Sequence, residues 1–356
     1  MRGRAALQKP LLERYRALID LPEHTQVVSL LEGSTPLVLM RRLAEELGGG
    51  FSFYLKVEGQ NPTGSFKDRG MTAAVGEALG RGVKSVICAS TGNTAASAAA
   101  YAASAGMRCT VLLPAGKVAA GKLAGAAAYG AQILQLDGSF DDALALVVEI
   151  SQRHPIALVN SLNPYRLEGQ KTAAFEIIEE LGHAPDWLCL PVGNAGNITA
   201  YLMGFKQYHQ LHNSGLPQLL GVQAAGAAPL VLGHPVENPE TVATAMRIGK
   251  PARGKQALEA AQESHGRIIA ASDEEILVMQ RKLGANGIWV EPASAAGLAG
   301  LANEIRSKNI DLKGKAVVAV CTGHGLKDPD VITSHMPAPS LVPVDLAQLE
   351  KIITLS

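Results

Sequence analysis

Residues 61–71 read NPTGSFKDRGM. Asn61-Pro62-Thr63-Gly64 has turn chemistry, since proline presets φ and glycine accepts angles that other residues avoid. The segment before it, FSFYLKVE, alternates apolar and polar residues as a strand does. The segment after it, MTAAVGEALG, reads as a helix. The stretch therefore joins a strand to a helix, with Lys67 placed between an aromatic residue and the helix start. A lysine held there and desolvated is a nucleophile suited to Schiff-base chemistry. A lysine that only decorates a solvated helix end has the same local sequence. The rest of the chain separates the two readings.

The strand–turn–helix unit recurs. VKSVICAS, RCTVLLP, AQILQLD, IALVNS, WLCLPVG, LLGVQA, IWVEPAS and KAVVAVCTGHG are further strand candidates. Helical segments rich in small residues, such as NTAASAAAYAASAG and PYRLEGQKTAAFEIIEEL, lie between them. SDEEILVMQRKLG opens with a capping box, Ser272 to Glu275. Apolar strands alternating with helices predict parallel sheets covered on both faces. Around nine strands are generous for one sheet, so the fold class is α/β with two open twisted domains and a cleft between them. Residues 232–256, rich in Pro and Gly, read as a long mobile loop.

Composition narrows the function. The chain has 356 residues, 47% of them hydrophobic, and 32 basic residues balance 32 acidic ones. No global field points to nucleic acid or to a membrane surface. Cys88, Cys109, Cys189 and Cys321 form no CxxC pair, and three of them lie in apolar strand-like runs. They read as buried free thiols, which suits a reducing cytoplasm. Leu11, Leu12, Tyr15, Leu18 and Ile19 share a helical face, which predicts an amphipathic N-terminal surface helix rather than a targeting peptide. There is no HExxH, no zinc-type Cys/His spacing and no GxSxG elbow, so metal and serine-hydrolase chemistry are not expected.

Ligands of open α/β folds bind at the carboxyl ends of strands, and five strand ends here are unusual. The first carries Lys67. The second, Ser90-Thr91-Gly92-Asn93-Thr94, offers hydroxyls and backbone N–H groups at a helix start, a ready anion site. The third, Asn160-Ser161-Leu162-Asn163-Pro164-Tyr165-Arg166, puts an arginine in the first turn of a helix, against the helix dipole. Either it holds an anionic ligand or it escapes to solvent. The fourth, Gly193-Asn194-Ala195-Gly196-Asn197, can curl so that successive N–H groups face one phosphate. It is neither GxGxxG nor a nucleotide P-loop, so a small phosphorylated cofactor fits better than a dinucleotide. The fifth, Thr322-Gly323-His324-Gly325, puts a hydroxyl and glycines where a planar ring can approach, with His324 read as structural.

One lysine, a phosphate cradle, an asparagine and a neutral hydroxyl are what pyridoxal phosphate requires. On GSFKDRG (64–70), GNAGN (193–197), EGSTPL (32–37) and TGHGLKD (322–328), the chain resembles the fold-type II pyridoxal-phosphate enzymes, and within them the threonine synthases. Related dehydratases typically carry a glycine run, and cysteine synthases a Gly-Thr loop, where this chain has GNAGN. The resemblance implies a tryptophan synthase β-like architecture, with residues 1–61 and 159–356 as the larger, cofactor-binding domain and 62–158 as the smaller. It implies Lys67 as catalytic residue and Schiff-base lysine, Asn93 at the ring hydroxyl, Thr322 at the ring nitrogen and residues 193–197 at the 5′-phosphate. It further implies O-phospho-L-homoserine as substrate, its carboxylate on Ser90, Thr91, Asn93 and Thr94, its phosphate on Asn160, Ser161, Arg166 and Asn194. A cytoplasmic homodimer is implied too, without the S-adenosylmethionine response of plant members, whose N-terminal extension is long. Rival readings are a threonine or serine dehydratase, a cysteate synthase-like lyase, and a non-catalytic binding or regulatory protein of the same fold. Lys117 and Lys122 read as solvated lysines on a mobile helix.

Overall fold

The computed structural model describes residues 9–115, 120–334, 336 and 338–354, without the side chains of 120–122 and 354. Lys117 and the Lys122 side chain lie outside the described residues. Ten strands form two sheets: β1 (Leu37–Leu39), β2 (Ser52–Val57), β3 (Ser85–Ala89), β4 (Arg108–Pro114), β5 (Gln132–Leu136), β6 (Ala157–Leu158), β7 (Trp187–Pro191), β8 (Gln218–Ala224), β9 (Arg267–Ala271) and β10 (Ala316–Cys321). The larger sheet has the order β1-β2-β10-β7-β8-β9 and the smaller β5-β4-β3-β6. Every pairing is parallel except β1 with β2.

Parallel strands buried on both faces explain the apolar runs. In β7 every residue is buried. Trp187 and Cys189 pack on one side with the helix Pro292–Arg306, while Leu188 and Leu190 pack on the other with the helix Gly196–His212. In the smaller sheet Val86 and Cys88 face the helices Lys67–Gly80 and Asn93–Ser104, and Ile87 and Ala89 face the helix Phe140–Arg153. Each buried aliphatic side chain contributes roughly 1.5–3 kcal/mol. All four cysteines are free and buried, as the sequence indicates.

Several expectations are corrected. IWVEPAS is not a strand: Val290 makes one isolated bridge to His324, and Pro292 starts a helix. β1 and β9 replace it in the count. IALVNS yields only the two-residue β6, because Asn160 leaves the ladder to brace the end of β3. The N-terminal helix is a single turn, Leu11–Arg14. Beyond it the chain turns, held by Arg16 on the Leu21 carbonyl and by Glu168 on the Asp20 amide. Its apolar face is still buried, with Leu11, Leu12, Tyr15 and Ile19 against Ala73 and Phe175. The 232–256 stretch is irregular up to the helix Gly254–Glu263, yet it is fastened. Asp273 accepts from Thr241 Oγ1 and the Val242 amide, and Ala243 and Met246 are in the core.

Two helices that frame the site meet backbone to backbone. Lys67–Gly80 crosses Tyr165–Leu181 where Gly70 and Gly169 lie. A Cβ on Gly169 would stand 1.8 Å from the Arg69 carbonyl oxygen, and one on Gly70 would stand 2.7 Å from that of Arg166. Only glycine permits that approach.

Candidate active site

Lys67 is the first residue of its helix, as the turn signals predict. Three interactions fix it there. The Phe66 amide donates to the Thr322 carbonyl at 2.9 Å, tying the lysine to the end of β10. Ser65 bridges Gly323 in the same place. Asp68 accepts from the Thr63 amide (2.7 Å), Thr63 Oγ1 (2.6 Å) and Ser97 Oγ (2.6 Å), which clamps the turn to the helix Asn93–Ser104. The Lys67 amine lies 4.2 Å from the Phe66 ring centroid. Burial, with the Arg166 charge adding to it and Glu291 opposing, brings the amine down to about 7. Such a group is substantially neutral near physiological pH, the state a nucleophile or proton acceptor needs.

Behind the lysine, Arg69 joins two carboxylates that sequence reading did not connect. Its Nε donates to Glu58 at 2.7 Å and its Nη2 to Glu176 at 2.6 Å. Lys56 Nζ reaches Glu176 at 2.9 Å, and Thr35 Oγ1 donates to Glu58 at 2.6 Å. All five are buried. This network locks the helix of Lys67 to β2 and to the helix Tyr165–Leu181.

Asn93 opens its helix after β3 and is buried. Its amide donates to both carboxylate oxygens of Glu291, each at 3.0 Å. Burial pushes the Glu291 carboxyl up to about 7, against the Asn93 hydrogen bonds and the nearby Lys327 charge. Thr322, buried at the end of β10, shares a 3.0 Å hydrogen bond with Ser294 Oγ, which also accepts from the Gly323 amide. Ser90, Thr91 and Thr94 stand half-buried at the start of the Asn93 helix. His324 accepts from the Leu326 amide and packs edge-on to Trp289, a structural role.

Arg166 occupies the first turn of the helix Tyr165–Leu181 and is buried at 2% exposure. It does not escape to solvent. Its Nη1 donates to the Val159 carbonyl at 3.0 Å, and its Nε has no partner. No carboxylate bridges it among the described residues, and burial pulls it down to about 10. Asn160 pairs with both backbone groups of Ala89, which leaves one of its amide hydrogens for a ligand. The 193–197 loop turns through a left-handed Ala195 (φ 66°) into the helix Gly196–His212. Buried Asn197 Nδ2 has no partner there, and neither has Ser65 Oγ beside the lysine. Buried polar groups are normally satisfied. Orphans on a curled glycine loop, beside a lysine, and on an unpaired arginine fit a phosphorylated, carbonyl-bearing cofactor and an anionic substrate.

Glu291, Ser294 and Arg253 were missed by sequence reading. Glu291 precedes Pro292 in a stretch that reads as strand, and nothing local pairs it with Asn93. Arg253 lies in the irregular stretch, where composition gives no positional signal.

The family model described as pyridoxal-phosphate dependent enzyme matches residues 28–323. A threonine synthase of Mycobacterium bovis is 56% identical over 346 residues, covering 96% of this chain and 95% of the relative. The chain belongs to the threonine synthase family. A threonine synthase of Synechocystis is 54% identical over 322 residues, covering 90% of this chain and 84% of the relative. Maize serine racemase superposes with a TM-score of 0.71 at 19% identity, over 97% of this chain and 95% of its own, which speaks for the shared fold. Pyridoxal phosphate is thus the cofactor that threonine synthase membership implies, and the unpartnered Asn197 amide of the 193–197 loop suits it.

Proposed function

We propose that the chain converts O-phospho-L-homoserine and water to L-threonine and phosphate. The observation that carries this reading is Arg166, buried beside the lysine with no carboxylate to neutralise it. A dehydratase substrate such as serine or threonine brings no second anion to meet it.

In this reading Lys67 anchors the cofactor, the 193–197 loop holds its 5′-phosphate, Asn93 meets its ring hydroxyl and Thr322 its ring nitrogen. Bound pyridoxal phosphate supplies an electron sink for the substrate carbons. Ser90, Thr91, Asn93 and Thr94 hold the substrate carboxylate at a helix N-terminus. Asn160, Ser161, Arg166 and Asn194 hold the departing phosphate, where a guanidinium can bind it bidentately. The neutral Lys67 amine takes protons from Cα and Cβ and gives protons back at Cα and Cγ. The bond from Cγ to the phosphate oxygen breaks, and a water oxygen ends on Cβ.

Arg166→Ala is expected to raise KM for O-phospho-L-homoserine on the order of 10–100-fold, the worth of a charge-assisted hydrogen bond. Uptake of the cofactor, followed by its absorbance, is expected to persist. Steady-state phosphate release at varied substrate checks it, and an unchanged KM would remove the phosphate site from this reading.

We also assign residues 1–61 with 159–356 to a larger working unit and 62–158 to a smaller one, supported by the division of strands between the two sheets. A cytoplasmic homodimer is the fitting assembly. The free thiols suit a reducing compartment, and no helix among the described residues is long and apolar enough to cross a membrane. The C-terminal helix Leu346–Thr354 exposes Leu346, Leu349 and Ile353, which a second copy would cover. Sedimentation of the full chain is expected to give a dimer mass that falls to monomer when residues 340–356 are removed, and a monomeric full chain would refute the assembly.

A further inference from the structure

Arg253 is tied to both loops that carry the candidate phosphate contacts. Its backbone N–H donates to the Asn194 carbonyl at 3.3 Å, and the neighbouring Ala252 N–H donates to Asn194 Oδ1 at 3.4 Å. Its side chain reaches the other way. Nε donates to the Ser161 carbonyl at 3.1 Å and Nη2 to the Leu162 carbonyl at 3.4 Å. The residue therefore spans from the loop after β7 to the loop after β6, two strands of different sheets. No acidic side chain among the described residues bridges Arg253, although it is half-buried. Its guanidinium is spent on two consecutive main-chain carbonyls, a fit for a rigid planar fork and a poor fit for an ammonium.

The helices that leave the two loops pack on each other, and Arg253 adds a hydrogen-bonded link between the loops themselves. Asn160 fastens the start of the 160–166 loop to β3, and Asn163 fastens its middle to the Leu158 carbonyl. Only Arg253 joins Ser161 and Leu162 across to Asn194 through the hydrogen bonds of the described residues. A phosphate held jointly by Ser161, Arg166 and Asn194 needs those residues in fixed register, since contacts misplaced by an ångström lose much of their worth.

We propose that Arg253 is a positioning residue that holds the 160–166 loop in register with Asn194, and so sets affinity for the phosphate of substrate and product. This rests on the assignment of Ser161, Arg166 and Asn194 to the substrate phosphate. Its place just ahead of the helix Gly254–Glu263 ties the end of the irregular stretch to both loops.

The test compares cofactor-loaded wild type, Arg253→Ala, Arg253→Lys and Arg166→Ala. Arg253→Ala is expected to raise KM for O-phospho-L-homoserine about tenfold, the loss of one charge-assisted hydrogen bond. The inhibition constant of inorganic phosphate is expected to rise in parallel, while kcat and the dissociation constant of pyridoxal phosphate stay within about threefold. Arg253→Lys is expected to recover less than half of the effect, because the fork is lost while the charge stays. Where Arg253→Ala fails to fold, Arg253→Lys decides by the same readouts. A KM and phosphate inhibition within twofold of wild type, or a loss confined to kcat, overturns the proposal. If Arg166→Ala raises KM and the Arg253 variants do not, only the positioning role falls. If none of the variants moves KM, the phosphate site itself is misassigned and the proposal falls with it.

Discussion

Lys67→Ala is expected to abolish threonine formation, with a loss on the order of 10²–10⁴-fold from missing proton transfer alone. The loss of the covalent anchor adds to it. The effect follows from geometry that no neighbour can replace. Lys67 is the first residue of its helix, the preceding amide is tied to Thr322, and Asp68 clamps the following turn. Its amine, brought down to about 7 by burial and by Arg166, is present in useful part as the free base. Lys67→Arg is not expected to rescue, because a guanidinium stays protonated throughout the working range. The check is phosphate release from O-phospho-L-homoserine with threonine measured in parallel, on protein incubated with pyridoxal phosphate. An alanine variant within tenfold of wild type would sink the role, and a wild type that takes up no cofactor would sink the chemistry.

Arg69→Met is expected to have the largest effect on stability, about 3–5 kcal/mol, because it leaves buried Glu58 without its basic partner and buried Glu176 with Lys56 alone. The pH dependence should change with it. Burial on its own raises the Glu176 carboxyl, but the Arg69 and Lys56 charges and hydrogen bonds outweigh it and hold the group well below its ordinary 4.5. A carboxylate whose folded value is depressed contributes stability that is complete above its unfolded value and is lost as pH falls below it. Wild type should therefore lose this contribution as pH falls from about 4.5 downward. In Arg69→Met only Lys56 opposes the burial of Glu176, so the acid-dependent loss should shrink. Urea unfolding of both proteins at neutral pH and near pH 4 reads the difference. A variant that keeps the full acid-dependent loss would show that the network is not its source.

Much of the site was legible because its parts are local. Lys67, Asn93, the 193–197 loop and Thr322 each sit at a strand end within a few residues of a helix start, so turn chemistry and apolar periodicity locate them together. Arg166 was legible as an anomaly of charge at a helix N-terminus, and its burial removes the escape to solvent. What stayed hidden depends on pairing across the chain. Glu291 meets Asn93 from 198 residues away, and Glu176 meets Arg69 from 107. A glutamate in sequence carries no mark of its partner. β1 was missed because three residues give no period, and β9 because RIIAA abuts the strong capping signal of Ser272. IWVEPAS looked like a strand because it is a short apolar run, but only Val290 of its first three residues is buried, through one bridge to His324 and core packing rather than a ladder.

The glycine contact between the two framing helices acts as a gauge block. Lys67 and Arg166 each stand three residues ahead of one of the touching glycines, Gly70 and Gly169, so main-chain atoms in van der Waals contact fix how far apart the two helix starts that carry them lie. That backbone spacing has no side chain at the crossing to trim or lengthen. Under the proposed assignment of Arg166 to the substrate phosphate, moving the two helix starts apart to suit a longer ligand cannot be done by widening a pocket wall. It would require one helix to slide along the other, in steps of about 1.5 Å per residue, and every contact of the buried Arg69 network would have to move too. In the proposed reading, selectivity for the length of the substrate rests on the helix crossing as well as on the side chains that touch the substrate.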